Sequence, residues 1–146
     1  MISKKEAEVL IELRQDSRQS LSELSRKTAI HASTLRDILK RLKKRGIIDR
    51  HVSLIDFKSL GFNIKTIIFL KSENKYNLLD FIITSKHTNS IQKITHGYDY
   101  VVEGIFENLA DYVYFKEALQ EFSITKIKEH HVFEEIKKEL ATFGPQ

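Results

Sequence analysis

Between Arg26 and Arg50 the chain carries nine lysines and arginines against two acids, Asp37 and Asp49. Cations at that density match a row of phosphates. Interleaved with them are short polar side chains, His31, Ser33, Thr34 and Asp37, of the kind that exchange hydrogen bonds with base edges. Lys40, Arg41 and Lys44 follow one and two turns later and suit phosphate oxygens, with Arg36 available to either. Ser20 and Ala32, at the starts of two neighbouring helical patterns, complete this candidate DNA-binding surface.

Other chemistry is poorly represented. The 146 residues contain no cysteine, which removes disulfides, thiolate nucleophiles and cysteine-based zinc sites. His130 and His131 are neighbours in a strand-like run, so their side chains point to opposite faces and cannot share a metal; Glu129 is separated from His130 in the same way. His96, beside Gly97, reads as a turn or interface histidine. No phosphate loop, H-E-x-x-H or G-x-S-x-G string occurs. The expectation is a protein that is not an enzyme and needs no metal or cofactor. Apolar runs such as Ile67–Leu70 are far shorter than the ~20 residues of a membrane span, so the chain reads as cytoplasmic, without a membrane partner.

Net charge is +4, divided unevenly: +6 over residues 1–60 and −2 over residues 61–146. The elements follow that division. Val9, Leu10 and Leu13 recur at helical spacing over 4–15, with Glu6, Glu8 and Glu12 assigned to the outer surface. Ser20-Leu21-Ser22-Glu23 has the form of a capping box and starts a second helix that ends near Thr28. After a turn at Ala29-Ile30-His31, a third helix runs to Arg45 with Leu35, Ile38, Leu39 and Leu42 in one stripe, and Gly46 stops it. Three helices of this length, the last two tightly joined, form a helix-turn-helix whose third helix enters the major groove. Ile47–Ile55 is rich in β-branched residues and predicts a strand leaving this unit.

The remainder alternates as βαββαβ. Strands are expected at 63–71, 90–96, 98–106 and 124–133, with helices at 75–86, carrying Leu78, Leu79, Ile82 and Ile83 inward, and at 109–122, burying Val113 and Leu119. That order is a ferredoxin-like sandwich with both helices on one face of an antiparallel sheet. Ile67 beside Ile68, Val101 beside Val102 and Ile105 beside Phe106 make several strands apolar on both faces, which points to sheet-to-sheet dimerisation. The fold class is therefore α+β: a winged-type helix-turn-helix over 1–50, a linker strand and hinge over 51–62, a ferredoxin-like sensing and assembly domain over 63–136, and a tail over 137–146.

Several strings, in order, resemble the Lrp/AsnC (leucine-responsive and asparagine regulator) transcription factors of prokaryotes: Asp16-Ser17-Arg18-Gln19-Ser20 before Glu23-Leu24-Ser25, then Leu35-Arg36, Lys40-Arg41-Leu42 and Gly46-Ile47-Ile48, and finally Gly97-Tyr98-Asp99-Tyr100. The resemblance runs from about Ala7 to Ile136. It departs at His31, where the family has a serine cap, at Ser17 in place of a glycine, and at His87-Thr88-Asn89-Ser90, which lacks a Pro-x-Val lead. It implies a DNA-binding regulator that forms homodimers and assembles further into tetramers or octamers. It also implies an amino-acid effector near Thr95, Gly97, Tyr98 and Asp99. The bland reading of that last string is a tight hairpin turn whose backbone Asp99 holds. The alternative function is a stand-alone metabolite sensor or interaction module without operator specificity.

Overall fold

The computed structural model describes residues 1–136, 138 and 139, so the expected tail lies mostly outside the described residues. The chain divides into two compact units, Met1–Leu54 with the described residues beyond Glu135, and Ile55–Glu135.

The first unit is built from α1 (Lys4–Gln15), α2 (Leu21–Thr28) and α3 (Ala32–Lys44). Two serines start the first two helices in the same way. Ser3 Oγ accepts from the Glu6 N–H at 3.2 Å while Glu6 Oε2 accepts from the Ser3 N–H at 2.8 Å, and Ser20 and Glu23 repeat the exchange at 3.2 and 2.8 Å. Each box satisfies two N–H groups that a helix start leaves without partners. Val9, Leu10, Leu24, Ile30, Leu35, Ile38 and Leu42 make the core, with Leu13, Leu21, Leu39 and Ile48 against it. Gly46, at φ +68°, turns the chain out of α3 as expected.

Two expectations fail in this unit. Glu6 is not on the outer surface: only 5% of it is exposed, because arginines of α3 lie over it. Residues 47–55 form no strand. The N–H groups of Ile47 and Ile48 both donate to the Leu42 carbonyl and so close the end of α3, and Val52 and Leu54 run exposed instead of pairing. The linker strand expected within 51–62 is replaced by chain without regular secondary structure and a single 3-10 turn at Lys58–Leu60.

The second unit is an antiparallel sheet in the order β2-β3-β1-β4, with β1 (Ile64–Ser72), β2 (Thr88–Lys93), β3 (Tyr100–Phe106) and β4 (Ile124–His131). Helices α4 (Lys75–Thr84) and α5 (Leu109–Leu119) bury Leu78, Ile82, Tyr112, Phe115 and Leu119 against Ile68, Leu70, Tyr100, Val102 and Phe106. Gly104 has a steric reason: a Cβ there would sit 2.7 Å from the Phe106 ring and 3.0 Å from Thr66 Oγ1. That room lets Phe106 lie back and meet Tyr112 and Phe115 at 5.3 and 5.4 Å.

The helix phases need correction. Val113 is 41% exposed and Ile83 63% exposed; both helices are apolar nearly all round, so periodicity alone does not choose the inner face, and the aromatic residues Tyr112 and Phe115 take it. The second strand also ends three residues earlier than expected, at Lys93, where the chain turns. On the sheet face away from the helices, Ile67, Phe69 and Val101 are half-buried beside a Lys65–Glu103 ion pair of 3.0 Å.

Candidate nucleic-acid interface

The presentation of α3 follows from its own sequence. Leu35, Ile38 and Leu42 fix one side in the core. Ser33, Asp37, Lys40 and Lys44, spaced at four, three and four residues, therefore line the opposite side. All four are exposed, as are Thr34, Arg36 and Arg41 on its flanks. The stripe from Ser33 to Lys44 is about 16 Å long at 1.5 Å per residue. Ala32 is half-buried at the helix start.

The entry to α3 is held at two points. Ser25 Oγ donates to the Ile30 carbonyl at 2.6 Å, and Ala29 takes the left-handed conformation that ends α2, at φ 54°. His31 is the N-cap: its Nδ1 accepts from the Ser33 N–H at 3.4 Å and lies 2.9 Å from Ser33 Oγ. An imidazole thus does the work of a short hydroxyl side chain. Ser20, exposed, is committed to the Glu23 box, whose backbone and hydroxyl hydrogen bonds hold the Glu23 carboxyl below the usual range.

The sequence reading missed Glu6 and Arg45. Glu6 Oε1 lies 3.1 Å from Arg45 Nη1 and 3.7 Å from Arg41 Nε. Its carboxyl is held low first by the Ser3 N–H, against its burial, and further by the Ser3 hydroxyl and both guanidinium groups. The signal was available in Ser3-Lys4-Lys5-Glu6, which has the S-x-x-E form of the Ser20 box.

The second candidate site is the turn between β2 and β3. Ile94 N–H donates to the Asp99 carbonyl at 3.0 Å, and His96 and Gly97 both have positive φ, 63° and 102°. Asp99 is tied down on three sides: its N–H donates to the Leu70 carbonyl at 2.8 Å, its Oδ2 accepts from the Ser72 N–H at 3.1 Å, and its Oδ1 pairs with Lys75 Nζ at 2.7 Å. Burial opposes ionisation, yet the Lys75 ammonium and the Ser72 N–H prevail and hold this carboxyl below the usual aspartate range. The Tyr98 ring lies 4.5 Å from Lys126 Nζ and 5.6 Å from the Phe69 ring. Thr95 Oγ1 is 2.8 Å from His96 Nδ1. Gly97, Tyr98 and Asp99 thus share one turn, with Thr95 exposed at its edge.

His130 and His131 stand apart, as strand geometry requires. His130 meets Phe69 on one sheet face and His131 meets Tyr112 on the other. Glu129 accepts from the Tyr112 hydroxyl and pairs with Lys116, which fixes α5 on β4. Among the described residues there is no group of three or more metal-ligating side chains, and no helix is long and apolar enough to cross a membrane.

Residues 2–49 match the winged helix-turn-helix DNA-binding family. An uncharacterised HTH-type transcriptional regulator of Pyrococcus furiosus is 26% identical over 135 residues, covering 90% of this chain and 91% of its own. The regulator FL11 of the same organism is 29% identical over 104 residues, covering 70% and 67%. Bacillus subtilis LrpC superposes with a TM-score of 0.86 at 22% identity, covering 94% of this chain and 98% of its own. A Neisseria meningitidis transcriptional regulator, solved as its L-Met complex, gives 0.84 at 20%, covering 95% and 94%. Among the described residues the architecture is therefore a three-helix helix-turn-helix unit, without the wing strands that the expected winged type would add, followed by a ferredoxin-like α/β domain. It is the two-domain fold of the Lrp/AsnC regulators, the family that the motifs resemble.

Proposed function

We propose that the protein is a sequence-specific DNA-binding transcriptional regulator that works as a homo-oligomer, in the compartment that holds the DNA, and catalyses no reaction. The observation that carries this reading is the stripe Ser33, Asp37, Lys40 and Lys44, exposed along the side of α3 that turns away from the core. His31, Ala32, Ser33, Thr34, Arg36 and Asp37 face base edges, while Ser20, Lys40, Arg41 and Lys44 meet the backbone. Dimers form through the apolar sheet face that carries Ile67, Phe69 and Val101, and paired recognition helices then read half-sites about 34–36 Å apart or a multiple of that.

The effector is an amino acid or related small metabolite, taken at the turn of Thr95, Gly97, Tyr98 and Asp99. Its binding changes how dimers associate, and so which DNA arrangements are gripped together. The L-Met complex of the Neisseria relative supports an amino acid as the first class to screen.

Selection of bound sequences from random duplex DNA, followed by salt titration of the best binder, tests the reading. A pseudo-palindrome whose affinity falls steeply with salt is the expected result. No enriched motif, with binding indifferent to salt, would reject it in favour of a metabolite sensor without an operator. With the operator in hand, a set of amino acids is screened for a shift in oligomer distribution or in DNA affinity; neither shift in any case would reject the effector mechanism.

A further inference from the structure

The cations of the last turns of α3 are of two kinds. Lys40, Lys43 and Lys44 make no ion pair with a described residue, whereas Arg41 and the cap residue Arg45 lie beside the carboxylate of Glu6. That carboxylate has only 6% of its side chain exposed. A buried charge requires compensation, and here one oxygen takes the Ser3 N–H while the other takes the arginines. The hold on the two differs. Arg45 makes a 3.1 Å contact to Glu6 Oε1 and a second, 3.2 Å, from Nη2 to the Met1 carbonyl. Arg41 approaches only to 3.7 Å and keeps 60% of its side chain exposed.

We infer that Glu6 is a positioning residue for DNA binding, which holds Arg45 back from the phosphates and shares Arg41 with them. The inference rests on the DNA-binding reading and adds a regulator of charge to it. A helix end that offered all five cations to any duplex would gain affinity that is blind to sequence, because phosphate contacts carry no base information. Glu6 subtracts part of that blind affinity while it starts α1 and ties the end of α3 to that helix.

Glu6→Gln separates the two roles. A glutamine still accepts from the Ser3 N–H and keeps the box, but it carries no charge for Arg45. In a titration of the full chain on a mixed-sequence duplex, the slope of log affinity against log salt is expected to steepen by about 0.9, the value of one more neutralised phosphate. Between 50 and 200 mM salt that is an additional loss of about 3.5-fold. A folded Glu6→Gln protein with the wild-type slope would overturn the inference and leave Glu6 a helix cap only. Arg45→Gln gives an independent reading should Glu6→Gln not fold, as circular dichroism would show. If Arg45 is withheld from DNA, its loss leaves the slope unchanged; a slope shallower by about 0.9 would place Arg45 on a phosphate and overturn the inference. A wild-type chain whose binding ignores salt would instead overturn the DNA-binding reading beneath it.

Discussion

Asp99 is the residue at which turn architecture and ligand chemistry make opposite predictions. Replacing it by alanine deprives the Ser72 N–H of its acceptor, and Ser72 is 3% exposed, so water is poorly placed to substitute. A hydrogen bond to a charged group contributes about 1.5–3 kcal/mol, whereas the Lys75 pair, with the lysine 54% exposed, adds little. The expected loss for Asp99→Ala is therefore about 2 kcal/mol, or roughly 5–15 °C in melting temperature. Asp99→Asn retains an acceptor and should lose about half as much. Because the folded carboxyl titrates below its ordinary value, its contribution is complete above the unfolded value near pH 4 and disappears as pH falls through the folded one. The asparagine variant should thus differ from wild type at neutral pH and converge on it in acid. The assay is calorimetric melting at several pH values beside titration with L-methionine. An Asp99→Ala protein as stable as wild type would refute the reasoning, whatever its effect on ligand binding, since the bond from the Ser72 N–H would then contribute nothing to the fold.

Three further outcomes are expected. Lys44→Ala should weaken binding to all duplexes alike and reduce the salt slope by about 0.9, whereas Thr34→Ala should change the preferred sequence with the slope intact; both are read by competition binding on a panel of duplexes. Gly104→Ala should destabilise by about 1–3 kcal/mol in denaturant unfolding, because its methyl group meets the Phe106 ring at 2.7 Å. Ile67→Asp should leave a folded monomer by light scattering and circular dichroism, if the open sheet face is the dimer contact.

Much of the architecture was legible because its signals are local. Ser20 and Glu23 announce a helix within four residues, Gly46 marks the exit of α3, and the short β-branched and aromatic run in Ile64–Leu70 is visible without its partners. What escaped depends on residues distant in sequence. The pattern of α1 assigns Glu6 to an outer face because periodicity sees one helix at a time, and the arginines that enclose Glu6 come from α3. β-Branched residues at 47–55 favour extended chain, but a strand also needs a neighbour, and the N–H groups of Ile47 and Ile48 are already committed to Leu42. The string Gly97-Tyr98-Asp99 was visible as a turn, while the atoms that occupy Asp99, from Ser72 and Lys75, lie in β1 and at the start of α4.

The order of the sheet has a kinetic consequence. β1 lies between β3 and β4, with Leu70 paired to Tyr100 and Thr66 to His131. During synthesis the run Ile64–Leu70 therefore emerges well before either neighbour exists. The three-helix unit, made from contacts close in sequence, folds early, whereas the sheet waits for distant strands. In that interval an apolar strand with both edges unpaired is available to other nascent chains. Lys65 and Lys71, the charged residues in and beside that run, are placed where they discourage such pairing until β3 arrives.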